Sequence, residues 1–288
     1  PAPPPDTSNA RADDPAAARL GQFLFFDQRL SGNGQLSCAT CHDPQRSFAD
    51  GKALSEGTRP GRRHTPALWN VAYNRWFFWD GRADSLWSQA LKPLENGDEM
   101  AGSRAGVFRL MRDDRELRAA YEAIFGAFPA VEDRASVNRV FVAVGKAIAA
   151  YQRRIVSRSA PFDVFVEGLR AGDHERMAAL SEPARRGLKI FVGRGKCRTC
   201  HVGPNFTDGE FHDIGVPPRA GLPPDAGRAD GVTRLHRDEF QAGGSFSDDP
   251  QSEAARTTAF LDPSASVRGQ VKNLVALERL ALQRGLSG

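Results

Sequence analysis

Apolar residues recur along this chain at helical rather than strand spacing. Leu20, Phe23, Leu24 and Phe26 form a stripe behind Asp14-Pro15, a capping carboxylate and a first-turn proline, so a helix is expected there. From Asp84 to about Ile155 the pattern predicts three or four amphipathic helices. Their apolar faces carry Leu86, Ala90 and Leu91; Val107, Leu110 and Met111; Leu117, Tyr121 and Ile124; then Val140, Phe141, Val144, Ile148 and Tyr151. Another helix, capped by Ser181, carries Leu188, Ile190 and Phe191. Residues 50–83 and 202–270 are Gly- and Pro-rich with little periodicity, which predicts long ordered loops of the kind that usually carry function. Strand signals are few and short. The expected fold class is mainly α with little β structure.

The pattern also repeats. "LGQFLFF" and, later, "SFADG" flank one cysteine pair; "RGLKIFV" and "NFTDG" flank a second. This echo predicts two related domains, 14–168 and 175–288, joined through "VEGLRAGDHE" near residue 170. The Pro/Ala/Asp-rich opening, residues 1–13, reads as a flexible mature N-terminus with any export signal already removed.

Composition changes this picture little. The 288 residues carry 39 basic and 35 acidic side chains, a formal charge of +4. No basic stripe with interleaved aromatics occurs, so nucleic acid is not indicated as a partner. The best candidate for a membrane span, "VFVAVGKAIAA", is interrupted by Lys146 and reads as a buried helix.

The cysteines change it most. All four lie in two C-x-x-C-H motifs, Cys38-Ala39-Thr40-Cys41-His42 and Cys197-Arg198-Thr199-Cys200-His201. This is the attachment pattern of c-type haem. Two thiols three positions apart share one helical turn and can each add to a vinyl group of one porphyrin, and the adjacent histidine is directed at the iron. A four-cysteine zinc site wants its pairs about 15–20 residues apart, against about 150 here. Redox disulfides leave a histidine after each pair unexplained. Two covalently attached haem c groups are therefore expected, with His42 and His201 as iron ligands. Because such attachment is completed outside the cytoplasm, the expected compartment is the periplasm.

Two haems alone would suit a non-catalytic electron carrier. The stretch between the motifs, "HTPALWNVAYNRWFFWDGRADSLWSQALKPLENGDEM", holds all four tryptophans and ends in a carboxylate cluster. A peroxide-cleaving haem needs an acid/base group on its open face and a source of electrons. The chain resembles the bacterial di-haem cytochrome c peroxidase and MauG family over about residues 18–272. The likeness rests on "LGQFLFFDQRLSGNGQLSCATCHDPQRSFADG", "NVAYNRWFFWDGRADSLWSQAL", "ENGDEM" and "CRTCHVGPNFTDGEFHDIGVP". It implies two cytochrome c-like domains: His42 serves a peroxide-reacting haem and His201 an electron-transfer haem. It further implies that Glu99 is the distal acid/base, that Gln89 orders water or peroxide, that Trp79 relays electrons, and that Asn70 is a ligand of a calcium ion between the haems. His64 is expected near the first haem and His212 in the pocket of the second.

Within that family the chain is most similar to MauG-type members and to the methanobactin-associated di-haem enzyme. The implied reaction uses hydrogen peroxide to reach a high-valent di-haem state and oxidises a partner protein, with modification of a tryptophan or tyrosine in view. The alternative is an ordinary cytochrome c peroxidase drawing electrons from a small carrier protein. One departure stands out. All three tyrosines and all three methionines precede the second motif, so no such side chain follows His201 to act as the family's sixth haem ligand. The family's ligand loop should begin at about Lys272, where the chain runs on as "NLVALERLALQRGLSG"; the expectation is that a segment is omitted there.

Overall fold

A computed structural model of the chain describes residues 2–217 and 220–261. The expected sixth-ligand loop after Lys272 lies outside the described residues. In chain order the helices are α1 (Pro15–Phe26), α2 (Cys38–Cys41), α3 (Leu86–Glu95), α4 (Arg104–Asp113), α5 (Arg115–Phe125), α6 (Arg134–Gln152), α7 (Pro161–Ala171), α8 (His174–Met177), α9 (Glu182–Val192), α10 (Arg228–His236) and α11 (Glu253–Ala259). Among the described residues β structure is limited to isolated bridges at Asp43–Ala49, Glu56–Pro60 and Phe77–Ala83. The fold is mainly α with long loops.

Contacts group the described residues into two compact units, 2–155 with 211–261, and 156–210. The larger unit is built around α6, which is buried along most of its length and packs against α1, α3 and α4. Side-chain caps set the helix starts: Asp14 accepts from Ala16 and Ala17, Ser85 from Ser88, Ser103 from Gly106, and Asp133 from Ser136. Where α1 crosses α6 the backbones nearly touch, since a Cβ on Gly21 would lie 1.8 Å from the Ala147 carbonyl oxygen. That crossing fixes the buried face of α1 as Ala17, Leu20, Gly21, Leu24 and Phe25. Phe23 and Phe26, expected on the apolar stripe, are instead 53% and 44% exposed. The aromatic run is too dense for one helical face, and the crossing selects Phe25.

Residues 6–12, expected to be flexible, are packed. Ser8 and Asn9 are buried. Trp87 Nε1 donates to Ser8 Oγ at 3.0 Å and Asn9 Nδ2 to the Lys146 carbonyl at 3.1 Å. Asp248 accepts from the Ala10 amide, and its own amide donates to the Ser8 carbonyl. The same strap neutralises Lys146, the cation inside α6, whose Nζ donates to the Phe246 carbonyl and pairs with Asp248 at 2.8 Å. A buried ammonium needs such partners. Composition misread this segment because its order comes from residues about 80 to 240 positions away.

In the smaller unit, residues 166–175, read as a linker, form the end of α7 and the start of α8. Gly172 ends α7 in a left-handed conformation (φ 68°) and Asp173 caps α8 through the Arg176 amide. The Gly-Asp signal is thus a tight helix-to-helix turn.

The α1–α6 crossing yields a stability prediction. Gly21→Val should lower stability by about 1–3 kcal/mol through forced separation of the helices. Gly97→Ala, at an exposed position with nothing within 4 Å of the added methyl, should stay within about 0.5 kcal/mol of wild type. Thermal and denaturant unfolding of the two variants checks the contrast.

Candidate active site

The first motif is placed by its own caps. Ser37 opens α2, with its amide donating to Thr40 Oγ1 at 2.9 Å, and the turn brings Cys38 and Cys41 to adjacent positions as free thiols. Burial pushes the Cys38 thiol up to about 12. Burial also raises Cys41, with the nearby Asp50 and Glu99 carboxylates adding to the shift. A dithiol used for redox exchange keeps a low-pKa thiolate, so this pair does not fit that chemistry. His42 follows at the end of the turn. Its Nδ1 lies 2.9 Å from the Phe48 carbonyl oxygen. A carbonyl only accepts, so Nδ1 carries the proton and Nε2 keeps its lone pair. Burial holds His42 below the usual histidine range, against the opposing pull of the Phe48 and Pro66 carbonyls. Two free thiols on one turn and a neutral imidazole with Nε2 available form the donor set that haem c requires.

The second motif, in the smaller unit, repeats this geometry. His201 Nδ1 stands 2.9 Å from the Phe206 carbonyl, and its amide donates to Cys197 at 3.0 Å, as that of His42 does to Cys38 at 2.9 Å. Phe48 and Phe206 both take positive φ, 56° and 53°. Behind each histidine lies one phenylalanine of the preceding helix: Phe25 at 6.4 Å from the His42 ring and Phe191 at 6.2 Å from His201. The sequence echo is therefore an echo of ligand positioning.

Glu99 sits in the larger unit on the turn after α3. Asn96 builds that turn: its Oδ1 accepts from the Asp98 amide at 3.0 Å, its backbone carbonyl accepts from Glu99 and Ala101, and its Nδ2 donates to Glu99 Oε1 at 2.8 Å. The 55–61 loop clamps the other side, with the Thr58 amide and hydroxyl both 2.8 Å from the Glu99 carbonyl. The same loop reaches Cys41, whose Sγ lies 3.8 Å from the Glu56 carbonyl. Glu99 is thus brought to the side of the first motif. Burial pushes its carboxyl above the ordinary range; Arg82 and Asn96 pull it back, while Asp98 and Asp80 add to the push. Its side chain remains 36% exposed.

Arg82 and Asp80 escaped the sequence reading. Asp80 is 1% exposed and binds Arg82 Nη1 at 3.0 Å and Arg63 Nη1 at 2.7 Å. Burial alone would raise the Asp80 carboxyl, but the two guanidiniums outweigh it and hold it low. Arg63 continues to Asp225 at 2.6 Å. Arg82 stacks 3.5 Å over the Phe78 ring and turns Nη2 toward Glu99 Oε1 at 3.8 Å. The visible signal was "WDGR" itself, in which a carboxylate and a guanidinium follow Trp79 directly.

Trp79 is 54% exposed, with Nε1 donating to the His64 carbonyl at 2.7 Å, and the His64 ring is anchored through Nδ1 by the Lys52 carbonyl at 2.9 Å. Trp69 packs edge-on to Phe48 at 5.6 Å. Gln89 is half-buried on α3. Asn70 takes a left-handed φ of 60° and its amide donates to the Ile155 carbonyl at 2.9 Å. His212 is exposed.

Known proteins are similar to this chain in sequence and in fold. The family model for di-haem cytochrome c peroxidase matches residues 15–171. The methylamine utilization protein MauG of Methylophilus methylotrophus is 38% identical over 221 residues, covering 74% of this chain and 61% of the relative. The cytochrome c551 peroxidase of Pseudomonas aeruginosa is 34% identical over 227 residues, covering 77% and 61%. The crystal structure of the diheme peroxidase BthA from Burkholderia thailandensis superposes with a TM-score of 0.65 at 32% identity, over 80% of this chain and 63% of that one. The chain thus spans about three fifths of the length of these proteins. With more than half of its residues matched by the family model, and with both ligand turns in place, the chain belongs to the di-haem cytochrome c peroxidase family.

Proposed function

We propose that the protein is a periplasmic di-haem c oxidoreductase that reduces hydrogen peroxide at the site of Cys38, Cys41 and His42 and draws the electrons from a protein. The observation that carries the proposal is Glu99, a carboxyl raised by burial and held beside the first motif by Asn96 and Arg82. A haem bound there supplies the iron that binds peroxide and takes up electrons. Glu99 takes a proton from one peroxide oxygen and returns it to the other, which becomes the leaving water. Arg82, pinned by Asp80 and Phe78, opposes the rise that burial imposes on Glu99 and favours its ionised form. Gln89 orients water or peroxide. Trp79 passes electrons, and its hydrogen bond to the His64 carbonyl favours the oxidised indole. Cys197, Cys200 and His201 would hold the second haem, whose chemistry would be electron transfer from the protein donor. Asn70 is assigned to calcium on the family resemblance.

For the donor we favour a protein substrate that is itself oxidised, as the likeness of "NFTDGEFHDIGVP" and "GRADGVTRL" to MauG-type sequences suggests. An ordinary peroxidase fed by a small carrier protein is the competing reading, and relatives of both kinds match at similar identity. Mass spectrometry of candidate partners after peroxide turnover separates them: a fixed oxygen-related mass change on one Trp or Tyr selects protein modification.

Glu99→Gln should slow peroxide cleavage by about 10²–10⁴-fold with haem content unchanged; unaltered stopped-flow kinetics would remove Glu99 from the mechanism. Arg82→Gln removes the cation that lowers the Glu99 pKa, so the protonated carboxyl should persist to higher pH and the acid limb of the rate profile should move upward. A profile that stays in place shows that Arg82 does not tune the acid. Trp79→Phe should slow electron exchange between the centres without loss of either haem, as read by the two haem absorbance bands after rapid mixing.

A further inference from the structure

The stretch that carries Trp79 holds other indoles that compete with it for oxidation. Trp76 is three residues away, 6% exposed, and packed with Val232, Leu235 and Leu261. The Arg228 side chain, 5% exposed, lies between two rings, with its guanidinium carbon 4.3 Å from the Trp76 centroid and 4.5 Å from that of Phe211. Its Nη1 donates to the Gly81 carbonyl at 2.7 Å and the Asp80 carbonyl at 3.3 Å. Gly81 is required by this packing, since a Cβ there would stand 2.2 Å from Arg228 Nη1, and its φ is +65°. The cation is therefore fixed over the indole. A positive charge on the ring face is attracted to the electron-rich indole and repelled by the oxidised one, and the effect is strong where water is excluded. Trp76 Nε1 also has no hydrogen-bond partner among the described residues, so no acceptor dipole stabilises its oxidised form.

Trp79 has the opposite surroundings. Its Nε1–H donates to a carbonyl, and among the described residues no cation stacks on its ring. Trp87 shares only the cation, with Lys146 Nζ 5.6 Å from its ring centroid, while its Nε1 donates to Ser8 Oγ. We propose that Arg228 is an electrostatic guard that keeps Trp76 reduced and so confines oxidising equivalents from the peroxide site to Trp79. Arg228 acts through Trp76 and touches neither peroxide nor haem. The inference rests on the peroxide reading above and adds its internal specificity.

The chemistry that exposes the guard balances as follows. Hydrogen peroxide accepts two electrons and two protons and leaves as two waters. An unguarded indole that loses two electrons adds one water and releases two protons, ending as hydroxytryptophan. The haem-loaded protein is treated with excess peroxide in the absence of any partner, digested, and oxygen addition is mapped at each tryptophan. In wild type the label should fall on Trp79 and leave Trp76 unmodified. Arg228→Met, which keeps the stem and removes the charge, should raise labelling of Trp76 about tenfold or more. Arg228→Lys keeps the charge but loses the fork to Asp80 and Gly81, and should leave Trp76 protected; a purely structural role would make Lys behave like Met. Trp76→Phe tests the same idea without touching Arg228, and labelling of Trp79 should not change. Equal labelling of Trp76 in wild type and Arg228→Met, its absence from both, or a fall at Trp79 in Trp76→Phe would overturn the guard. Haem absorbance recorded in the same experiment separates the two claims: no change on peroxide addition counts against the peroxide reading, whereas a change with unsteered labelling counts against Arg228 alone.

Discussion

Asp80 carries a carboxylate that is 1% exposed, and a charge so deep is tolerable only while both of its guanidinium partners stay in place. Much of the candidate active site hangs on that condition. Arg63 ties Asp80 to the residues before the first tryptophan cluster and onward to Asp225. Arg82 ties it to Glu99, and the Asp80 backbone accepts from Arg228. One buried acid thereby sets the position of the cation that faces Glu99 and shares a loop with Trp79. Asp80, Arg82 and Trp79 share one seven-residue turn from Phe77 to Ala83, closed by the bridge between its ends.

The scaffold beneath this network follows from α6. A helix buried along most of its length can only be central, and its one buried cation, Lys146, is paired with Asp248 from a distant strap. The strap also orders the N-terminal residues. Polar contacts around Lys146, Asp248 and Ser8 are thus a second buried electrostatic constraint, structural where that of Asp80 is functional. The two ligand turns show a third economy of design: a left-handed phenylalanine presents its carbonyl to the histidine, so the backbone itself fixes the imidazole tautomer.

Short-range chemistry was legible in the sequence. The thiol spacing, the adjacent histidines, the helix caps and the repeat of "SFADG" as "NFTDG" act within one or two turns, where covalent geometry leaves few choices. The Glu99 and Trp79 assignments came from resemblance, and the residues around them did not: Arg82, Asp80, Asn96 and Arg228 matter through partners that no local pattern announces. Arg228 reaches Trp76 across about 150 positions. The misjudged pieces have the same origin. Phe23 gave way to Phe25 because a helix crossing with no room for a side chain at Gly21 chose the buried face, and the supposed free N-terminus was ordered by Asp248. By itself the sequence determined the two C-x-x-C-H donor sets and the helical class, because these depend on neighbours in the chain. Only the tertiary structure decided which carboxyl is buried, which cation faces it and which indole lies under Arg228, because burial and Coulomb interactions depend on distance in space and not on distance along the chain.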